Sequence, residues 1–535
     1  MKKIKDSHLR IVAQIFFLLL FLFLLLNTRS TTDKVEYPVK LFLEVDPLNS
    51  IMTVISTHSL YEGLILSLII IIPTIFFGRF FCGWICPLGT LNHFFCWFKS
   101  ANKGKARIDA NKFRNWFKTK YYILIAMLII AIFTSVQTGL LDPISIMIRS
   151  FGMIIFPAFN FLITKVAEFF DAKGMDTIAN ALSSLTVVKQ PYYHYVWVIG
   201  LFFLAIIVAN RFIPRLWCRA FCPLGALLGF FSRFSIYRLN KNYDKCTACN
   251  LCGKDCQGAS EPQKDVKWLQ TECMVCMNCT DTCPEDALNF SFTANPQYIR
   301  QETDLQRRHI IQASLIGLTM IPFMRLSDSL KVNFNSSLIR PPGSVDEQEF
   351  LKRCIRCGNC MKVCPNNAIH PTLFEAGLEG IWTPLLIMRI GYCLYDCVLC
   401  TQVCPTGAIR ELTLKEKHGI NGNNPIKIGT AFYDRGKCLP WAKDIECIVC
   451  EEFCPTSPKA IWFQIEEVIT RDGSKKLLKR PRVDIEKCIG CGICENVCPI
   501  IDKPAIYVTS IGETRSKTNQ ILLSQMSESY GEKEK

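Results

Sequence analysis

The sequence predicts an α-helical membrane bundle of four to five spans, with an internal repeat, joined to small cysteine-rich α+β modules. The chain of 535 residues is too long for one ordinary domain, and half of its residues are apolar. These two facts together indicate a membrane part joined to soluble parts. The chain also has 29 cysteines, most of them in the pattern C-x2-C-x2-C-x3-C. Secreted disulfide scaffolds are short, so this pattern indicates metal chemistry rather than a disulfide framework.

Residues 1–231 are predicted to form the membrane domain. Residues 11–27 follow a basic start and make the first span, and further apolar runs follow at 63–81, 121–136 and 194–213. Residues 99–120 hold eight Lys or Arg against one Asp, so this segment and the amino terminus are placed in the cytoplasm. We expect the apolar segment 145–170 to be interfacial or re-entrant. The net charge of +15 lies largely beside such runs, which argues against nucleic-acid binding.

The membrane domain contains one unit written twice. "FLEVDPLNSI" at 43–52 matches "GLLDPISIMI" at 139–148, and "CGWICPLGTLNHFF" matches "CRAFCPLGALLGFF". At a spacing of four, both thiols of a pair lie on one helix face, and packing of the two units would bring four sulfurs together. A further metal or cluster site is therefore predicted, the alternatives being metal-free thiol redox chemistry or helix ends with no chemistry. Its residues are Cys82, Cys86, Cys218 and Cys222.

Asp46 and Asp142 precede the prolines of the two repeated units. Residues in this position usually form turns, but a carboxylate at a membrane boundary is also a candidate proton acceptor for a quinol. Cys96 has no partner in the pattern and is expected to be an apolar filler.

Residues 232–300 are predicted to be a cytoplasmic module with two 4Fe-4S clusters. In two-cluster ferredoxins, three cysteines of one run share a cluster with the last cysteine of the other run. Gln257 replaces the proline that generally follows such a cysteine. The predicted ligand sets are Cys246, Cys249, Cys252 with Cys283, and Cys273, Cys276, Cys279 with Cys256.

Residues 331–508 are predicted to be a periplasmic domain with four clusters. Two of its cysteine runs have regular spacing and two have extra residues after the first ligand. We expect the first and last runs to share one cluster pair, and the inner runs another. The predicted sets are Cys354, Cys357, Cys360 with Cys498; Cys488, Cys491, Cys494 with Cys364; Cys393, Cys397, Cys400 with Cys454; and Cys438, Cys447, Cys450 with Cys404.

Six 4Fe-4S clusters account for these twenty-four cysteines. Structural zinc also accepts four thiolates, but zinc sites do not require six tandem runs with a trailing proline. Haem is not expected, because the sequence has no C-x-x-C-H motif. Between the modules, residues 301–330 are predicted to hold paired arginines, Arg307 and Arg308, followed by a transmembrane helix, although its apolar stretch is short for a span. Residues 509–535 form a polar tail expected to be mobile.

Two parts of the chain resemble a known pair of proteins. Residues 60–290, with two C-x3-C-P-L-G motifs and "CTACNLC...CMVCMNCTDTCP", resemble the NapH family of membrane ferredoxin-type subunits. Residues 305–508, with "RR" and "RPPGSVDEQEFLKRCIRCGNCMKVCP", resemble the NapG/MauM family. The resemblance implies a fused, multi-pass protein of the inner membrane whose Arg307–Arg308 pair would serve as an export signal for the last domain.

The resemblance also implies a function, namely that of a quinol dehydrogenase component. It would oxidise menaquinol or ubiquinol and pass electrons to a periplasmic redox protein or cytochrome. Relatives with C-x3-C-P motifs also resemble factors that assist metalloenzyme assembly, so a redox maturation factor is the alternative. Electron flow in the other sense, from a cytoplasmic ferredoxin to quinone, is a third reading.

Overall fold

The protein has three parts in its computed structural model. The structure describes residues 6–28, 34–59, 62–98, 104–133, 136–184, 186, 190–264, 266–292, 305–329, 336–420, 424–469, 473–516 and 519. We call residues 6–232 and 307–329 the helical layer, residues 237–292 the first cysteine module, and residues 336–519 the C-terminal domain.

The helical layer consists of α-helices and short 3-10 or π turns. Its helices are α1 Asp6–Leu26, α2 Leu41–Glu44, α3 Pro47–Thr57, α4 Leu68–Phe77, α5 Phe80–Trp84, α6 Pro87–Phe98, α7 Lys105–Ala110, α8 Thr119–Phe133, α9 Pro143–Ser150, α10 Phe156–Asp171, α11 Asp176–Ser183, α12 Val196–Ala209, α13 Leu216–Ala220, α14 Pro223–Ser232 and, later in the chain, α17 Arg307–Ser329. A π-helical segment, Phe151–Ile155, joins α9 to α10.

The internal repeat of the sequence reappears as repeated helix starts. Asp46 and Asp142 are the N-caps of α3 and α9, each followed by a proline at the first helical position, where its missing N–H costs nothing. Likewise, α6 and α14 begin at the prolines of the two C-P-L-G sequences. The two units therefore share one local architecture.

Three stretches of helix in the described residues are long and apolar enough to cross a membrane: Asp6–Leu26, Lys105–Phe133 and Pro143–Asp171. The second and fourth predicted spans correspond to shorter apolar helices, Ile65–Phe77 and Val196–Ala209. The segment expected to be interfacial forms a continuous helix of 29 residues, Pro143–Asp171.

The first cysteine module and the C-terminal domain lie at opposite ends of the helical layer. At the start of α1, the Ser7 amide donates to Asp281 of the module at 2.7 Å, and beyond its end the Val35 amide donates to Gln402 of the C-terminal domain at 2.8 Å. The 21 residues of α1 span about 31 Å, close to the hydrocarbon thickness of a bilayer.

Other helices connect the same two ends. Lys120, at the start of α8, pairs with Glu272 of the module, and just after its end the Val136 amide donates to Leu351 of the C-terminal domain at 3.3 Å. Helix α17 packs along α8, and Tyr122 meets His309 near the starts of both helices. It therefore runs parallel to α8, toward the C-terminal domain.

The cysteine-rich parts are built of short helices and two-stranded antiparallel sheets. Their elements are β1 Tyr237–Lys241, α15 Leu251–Lys254, α16 Asn278–Asp281, β2 Leu288–Phe292, α18 Glu347–Arg353, α19 Asn359–Val363, β3 Ile369–Pro371, β4 Pro384–Leu386, α20 Leu399–Gln402, α21 Leu414–His418, β5 Thr430–Tyr433, α22 Leu439–Ala442, α23 Val449–Glu452, β6 Ile461–Ile469, β7 Lys475–Val483, α24 Ile493–Asn496 and β8 Ile506–Thr509. The pairs are β1 with β2, β3 with β4, β5 with β8, and β6 with β7.

The predicted boundary of the mobile tail at residue 509 is too early. The Ser510 amide donates to the Ser336 carbonyl at 2.8 Å, and Arg515 forms ion pairs with Glu347 and Glu513, both at 2.7 Å. The first residues of the predicted tail therefore belong to the C-terminal domain. Residues 520–535, the remainder of that predicted tail, lie outside the described part of the chain.

Candidate iron-sulfur sites

The first cysteine module holds two groups of four cysteines. One group, Cys246, Cys249, Cys252 and Cys283, lines a single pocket near the outer end of the module, and Cys249 is exposed. In the other, the thiol of Cys256 interacts electrostatically with those of Cys273 and Cys279. The structure thus brings each predicted set of this module together.

The structure contradicts the predicted pairing of runs in the C-terminal domain. The thiol of Cys404, not that of Cys498, lies with the first run, and Cys364 lines a pocket with the second run. Cys498 lies with the third run, and Cys454 lines a pocket with the fourth. The observed groups are Cys354, Cys357, Cys360, Cys404; Cys393, Cys397, Cys400, Cys364; Cys438, Cys447, Cys450, Cys498; and Cys488, Cys491, Cys494, Cys454.

The physical reason is that consecutive runs are enclosed by one pair of strands. In the first cysteine module, β1 pairs with β2 around both runs. In the C-terminal domain, an isolated bridge joins Ser344 to Ile409 around the first two runs, and β5 pairs with β8 around the last two. A hairpin, β3–β4 or β6–β7, folds each of these pairs of runs back on itself. Neighbouring runs therefore share a module, whatever the spacing within each run.

The groups of the C-terminal domain form a continuous series. Cys360 of the first group interacts with Cys400 of the second, and the Cys393 amide donates to the Cys491 carbonyl at 2.9 Å. Cys494 in turn interacts with Cys450 of the group that contains Cys438. The order from the helical layer outward is therefore the Cys354, Cys393, Cys488 and Cys438 groups.

Burial opposes ionisation of the most enclosed thiols of these groups. It raises the pKa of Cys273 and of Cys357 to about 12, with neighbouring thiols adding to the shift. Iron binds the thiolate, so cluster binding at these sites must release protons. Among the described residues no three His, Cys, Asp or Glu side chains converge closely enough to hold one metal ion. Four-cysteine groups built from runs of this pattern are the ligand sets of iron-sulfur clusters.

The four cysteines of the C-x3-C-P motifs also meet, inside the helical layer. All four are buried, and Cys222 interacts electrostatically with Cys218, Cys82 and Cys86. We call this group the four-sulfur site. Asn92 Nδ2 lies 3.5 Å from Cys218 Sγ, and the Gly225 amide donates to Cys222 Sγ at 3.2 Å. Cys96 lies apart from the group, 3.8 Å from the Asn210 carbonyl.

The glycine of each C-P-L-G sequence allows the close approach that builds the four-sulfur site. A Cβ at Gly89 would lie 2.7 Å from the Cys82 carbonyl oxygen, and one at Gly225 would lie 2.9 Å from Arg79 Nη2. A side chain at Gly89 would press on the backbone of Cys82, and one at Gly225 would press on the guanidinium group of Arg79. The repeated glycine is therefore explained by packing at this site.

Buried arginines surround the four-sulfur site and the Cys273 group. Arg79 is fully buried and interacts with Cys82 and Cys222, while Arg215 donates to the Cys82 carbonyl and to Met274 Sδ, both at 3.1 Å. Arg10 interacts with Cys276. Each of these three guanidinium groups has two buried nitrogens without a hydrogen-bond partner in the described structure. The unused donors of Arg10 and Arg79 fit anionic thiolate-bound clusters at these sites, which would accept their hydrogen bonds.

Glu272 forms the main ionic junction between the first cysteine module and the helical layer. Its carboxylate is buried, pairs with Lys120, lies 3.3 Å from Arg79 and accepts a hydrogen bond from Tyr121 at 2.9 Å. Sequence reasoning missed it, because a lone glutamate beside a cysteine run has no periodic signal.

Asp46 and Asp142 lie together in the interior rather than at an outer surface. Both are fully buried and their carboxyl groups interact directly, so a negative charge on one disfavours ionisation of the other and the pair is suited to sharing a proton. Asn49 Nδ2 donates to Asp46 at 2.6 Å, and Asp142 is in electrostatic contact with Cys86 on one side and Arg149 on the other. The pair therefore lies between the four-sulfur site and the Cys354 group, with which Arg149 also interacts.

Family comparisons match the cysteine-bearing segments. Residues 59–105 and 193–242, which contain the two C-x3-C-P motifs, match a family described as a 4Fe-4S binding domain, and residues 479–500 match another with the same description. Residues 353–408 match a 4Fe-4S dicluster domain, in agreement with the observed pairing of the first two runs of the C-terminal domain. The protein is therefore an iron-sulfur protein.

Whole-protein comparisons identify relatives that each match about a third of the chain. The chain is 34% identical over 173 residues to the ferredoxin-type protein NapG of Escherichia coli, covering 32% of this chain and 69% of that protein. It is 30% identical over 198 residues to the methylamine utilization ferredoxin-type protein MauM of Methylorubrum extorquens, covering 36% and 80%.

A further relative covers more of this chain. The putative electron transport protein YccM of Escherichia coli is 26% identical over 245 residues, covering 44% of this chain and 57% of that protein. No solved structure matches the chain. The shared cysteine modules and the identity to NapG and MauM over most of their lengths place this chain in the NapG/MauM family of ferredoxin-type electron-transfer proteins.

Proposed function

We propose that this protein is a quinol dehydrogenase component of the inner membrane that conducts electrons from quinol to a periplasmic redox protein or cytochrome. One observation carries the proposal. A series of cysteine groups runs from the first cysteine module, through the four-sulfur site in the helical layer, to the outer end of the C-terminal domain.

Six groups would hold one 4Fe-4S cluster each, in the sets observed above, and the four-sulfur site would hold a seventh. Clusters of this kind accept and donate one electron at a time. The chain's own residues separate these sites from water and balance their charge. Met274 covers the four-sulfur site from the module side, and a Cβ at Gly83 would lie only 2.4 Å from its carbonyl oxygen.

The helical layer is proposed to cross the membrane, with the first cysteine module in the cytoplasm. The basic residues between 105 and 120 lie at the module end, where Arg107 pairs with Asp255 and Lys120 with Glu272, as the positive-inside rule requires of a cytoplasmic module. The opposite end of the layer, and with it the C-terminal domain, is then periplasmic. The shared proton of Asp46 and Asp142 would offset charge that arrives at the four-sulfur site.

The test combines topology with redox titration. Protease added to right-side-out vesicles should reach the C-terminal domain but not the first cysteine module. In the purified protein, a soluble menaquinol analogue should reduce part of the iron-sulfur EPR signal, and dithionite the whole of it. Iron at the level of seven clusters is expected. Protease access to both ends from one side, or no reduction by the quinol analogue, would contradict the proposal.

A further inference from the structure

A pocket lies where the first cysteine module meets the helical layer. Helix α6 contributes His93 and Cys96 to its wall, the turn before α13 contributes Arg215, and the module contributes Asp255, Cys256 and Gln257. Cys256 belongs to the Cys273 group, so the pocket directly adjoins one cluster site.

Gln257 is the residue that replaces the usual proline after a cluster-binding cysteine. Its side chain is 7% exposed, and neither its amide nitrogen nor its amide oxygen has a hydrogen-bond partner within the described residues. A proline at this position would present no polar atom to the pocket. A buried amide without partners is destabilising unless a ligand or water completes its hydrogen bonds.

Arg215 presents further unused donors at the same place. It is 1% exposed, and although its Nη1 is bound to the Cys82 carbonyl and Met274, its Nε and Nη2 have no partner in the structure as described. Two nearly fully buried side chains of the pocket wall thus offer hydrogen-bond donors, and one of them also offers an acceptor.

The charges in the pocket favour an uncharged ligand that both donates and accepts hydrogen bonds. Arg107 is neutralised by Asp255 at 3.1 Å. Burial, together with Arg215, Arg10 and Arg107, lowers the pKa of His93 to about 3, so its imidazole is neutral and can accept a hydrogen bond. A purely anionic ligand would leave the Gln257 amide oxygen and the imidazole acceptor unsatisfied.

The pocket also lies next to apolar surface. Phe94 follows His93 in α6, Phe212 lies two residues before Pro214 of the pocket wall, and their side chains are 51% and 63% exposed. An apolar chain attached to a ligand in the pocket would find contacts along these rings.

We propose that this pocket binds the headgroup of a lipid-soluble quinol, with Gln257, His93 and Arg215 as its hydrogen-bonding partners. The inference rests on the proposed function and adds to it the location of the quinol. The carbonyl or hydroxyl oxygens of the ring complete the hydrogen bonds of Gln257 and Arg215. The ring then lies beside the site held by Cys256, on the module side of the helical layer.

The test measures binding separately from turnover. The purified full-length protein is titrated with a fluorescent quinolone N-oxide, a quinone-site probe, and its dissociation constant is compared between variants. Gln257→Leu and His93→Leu should each weaken probe binding by about tenfold, the effect of losing one buried hydrogen bond. Gln257→Pro, which restores the usual residue, should do the same. Iron content and the dithionite-reduced EPR spectrum should stay unchanged.

Gln263→Leu is the matched control, because Gln263 is a buried glutamine of the same module outside the pocket wall. It should bind the probe as the native protein does. Native affinity in Gln257→Leu and His93→Leu would overturn the pocket, while the reduction of the native protein by a quinol analogue would leave the proposed function standing. If the native protein neither binds the probe nor accepts electrons from the quinol analogue, both the pocket and the proposed function are overturned.

Discussion

The helical layer is attached to its two cysteine-rich partners in different ways. At the first cysteine module, a buried carboxylate, Glu272, pairs with Arg79 and Lys120. At the C-terminal domain the contacts are made by arginines, Arg149 and Arg356, for which the described residues show no salt bridge to a carboxylate. Arg149 stacks on Trp382 at 4.5 Å and donates to the Arg356 carbonyl at 2.8 Å, and Arg356 donates to the Val136 carbonyl.

The difference shows two ways of placing positive charge beside an anionic cluster site. At the module end, the carboxylate of Glu272 partly balances the charges of Arg79 and Lys120, so this junction depends on a buried network of ion pairs. At the C-terminal end, the guanidinium groups are satisfied mainly by carbonyls and an aromatic face, and their charge remains available to the Cys354 group. The four-sulfur site lies between the two junctions.

The largest effect on iron content and electron transfer is expected from substitutions in the four-sulfur site, which lies between the two junctions. Cys82→Ser and Cys218→Ser should each remove one cluster's worth of iron, because each takes one of four thiolates. Reduction of the C-terminal clusters by a quinol analogue should then be lost, while dithionite still reduces them. Iron analysis and EPR measure both effects. Cys96→Ser, outside the site, should keep full iron, and unchanged iron in Cys82→Ser would show that the site holds no cluster.

Glu272→Gln should disrupt the module junction by about 3–5 kcal/mol, because it leaves Arg79 and Lys120 buried without a counter-charge. The expected result is faster proteolysis of the first cysteine module and a lower midpoint of thermal unfolding. Glu285→Gln changes an exposed glutamate of the same module and serves as the control. Equal stability of the two variants would mean that the ion network is not what holds this junction.

Arg149→Lys tests the other junction and should cost about 1–2 kcal/mol. Lysine keeps the charge but loses the stacking on Trp382 and the planar donor geometry. Arg435 also stacks on a tryptophan, Trp441, at 4.5 Å but is exposed, so Arg435→Lys should have a smaller effect. Thermal unfolding of both variants measures the difference. If Arg149→Lys lowers the stability more than Glu272→Gln does, the C-terminal junction rather than the module junction is the one that depends more on its charged groups.

The smallest effect is expected within the C-terminal domain, at Glu347. Although burial opposes ionisation, Arg340 and Arg515 lower the pKa of Glu347 to about 2. A carboxylate with a lowered folded pKa stabilises above its unfolded value of about 4.3, and this stability is lost as the pH falls toward 2. Since the side chain is 29% exposed, screening limits the contribution to about 1 kcal/mol.

The free energy of unfolding of the C-terminal domain, measured from about pH 5 to about pH 2, reports this contribution. The range extends to both sides of the reference carboxyl pKa of about 4.3. Glu347→Gln should flatten the pH dependence by that amount, and Glu411→Gln, at an exposed site, should not. An unchanged slope in Glu347→Gln would mean that the ion pairs with Arg340 and Arg515 do not contribute.

Cysteine spacing predicted the cluster runs well, because three ligands on one loop leave a strong local signal. In the C-terminal domain the predicted grouping of the fourth ligands was wrong, since each trailing cysteine there fits any neighbouring run by spacing alone. It is decided by strand pairing, such as Ser344 with Ile409, which brings together residues far apart in sequence. The same limit applies to Glu272, whose partners Arg79 and Lys120 come from distant helices.

Asp46 and Asp142 illustrate a partial success. Their position before proline predicted a local role at a chain turn, and both are N-caps in the structure. Their mutual interaction and complete burial depend on the packing of the two repeated units, which the linear sequence does not show. Gln257 was recognised as an exception to the motif, but only the surrounding pocket gives the exception a meaning.

The division of the four-sulfur site between two halves of the chain has a consequence for biogenesis. Residues 82 and 86 emerge from the ribosome long before residues 218 and 222, so no cluster can be completed there on the nascent first half alone. Once the module has docked, Met274 lies against Gly83, beside Cys82, and covers the four-sulfur site from the module side. For the cluster proposed at this site, delivery would therefore follow synthesis of the second half and precede docking of the module.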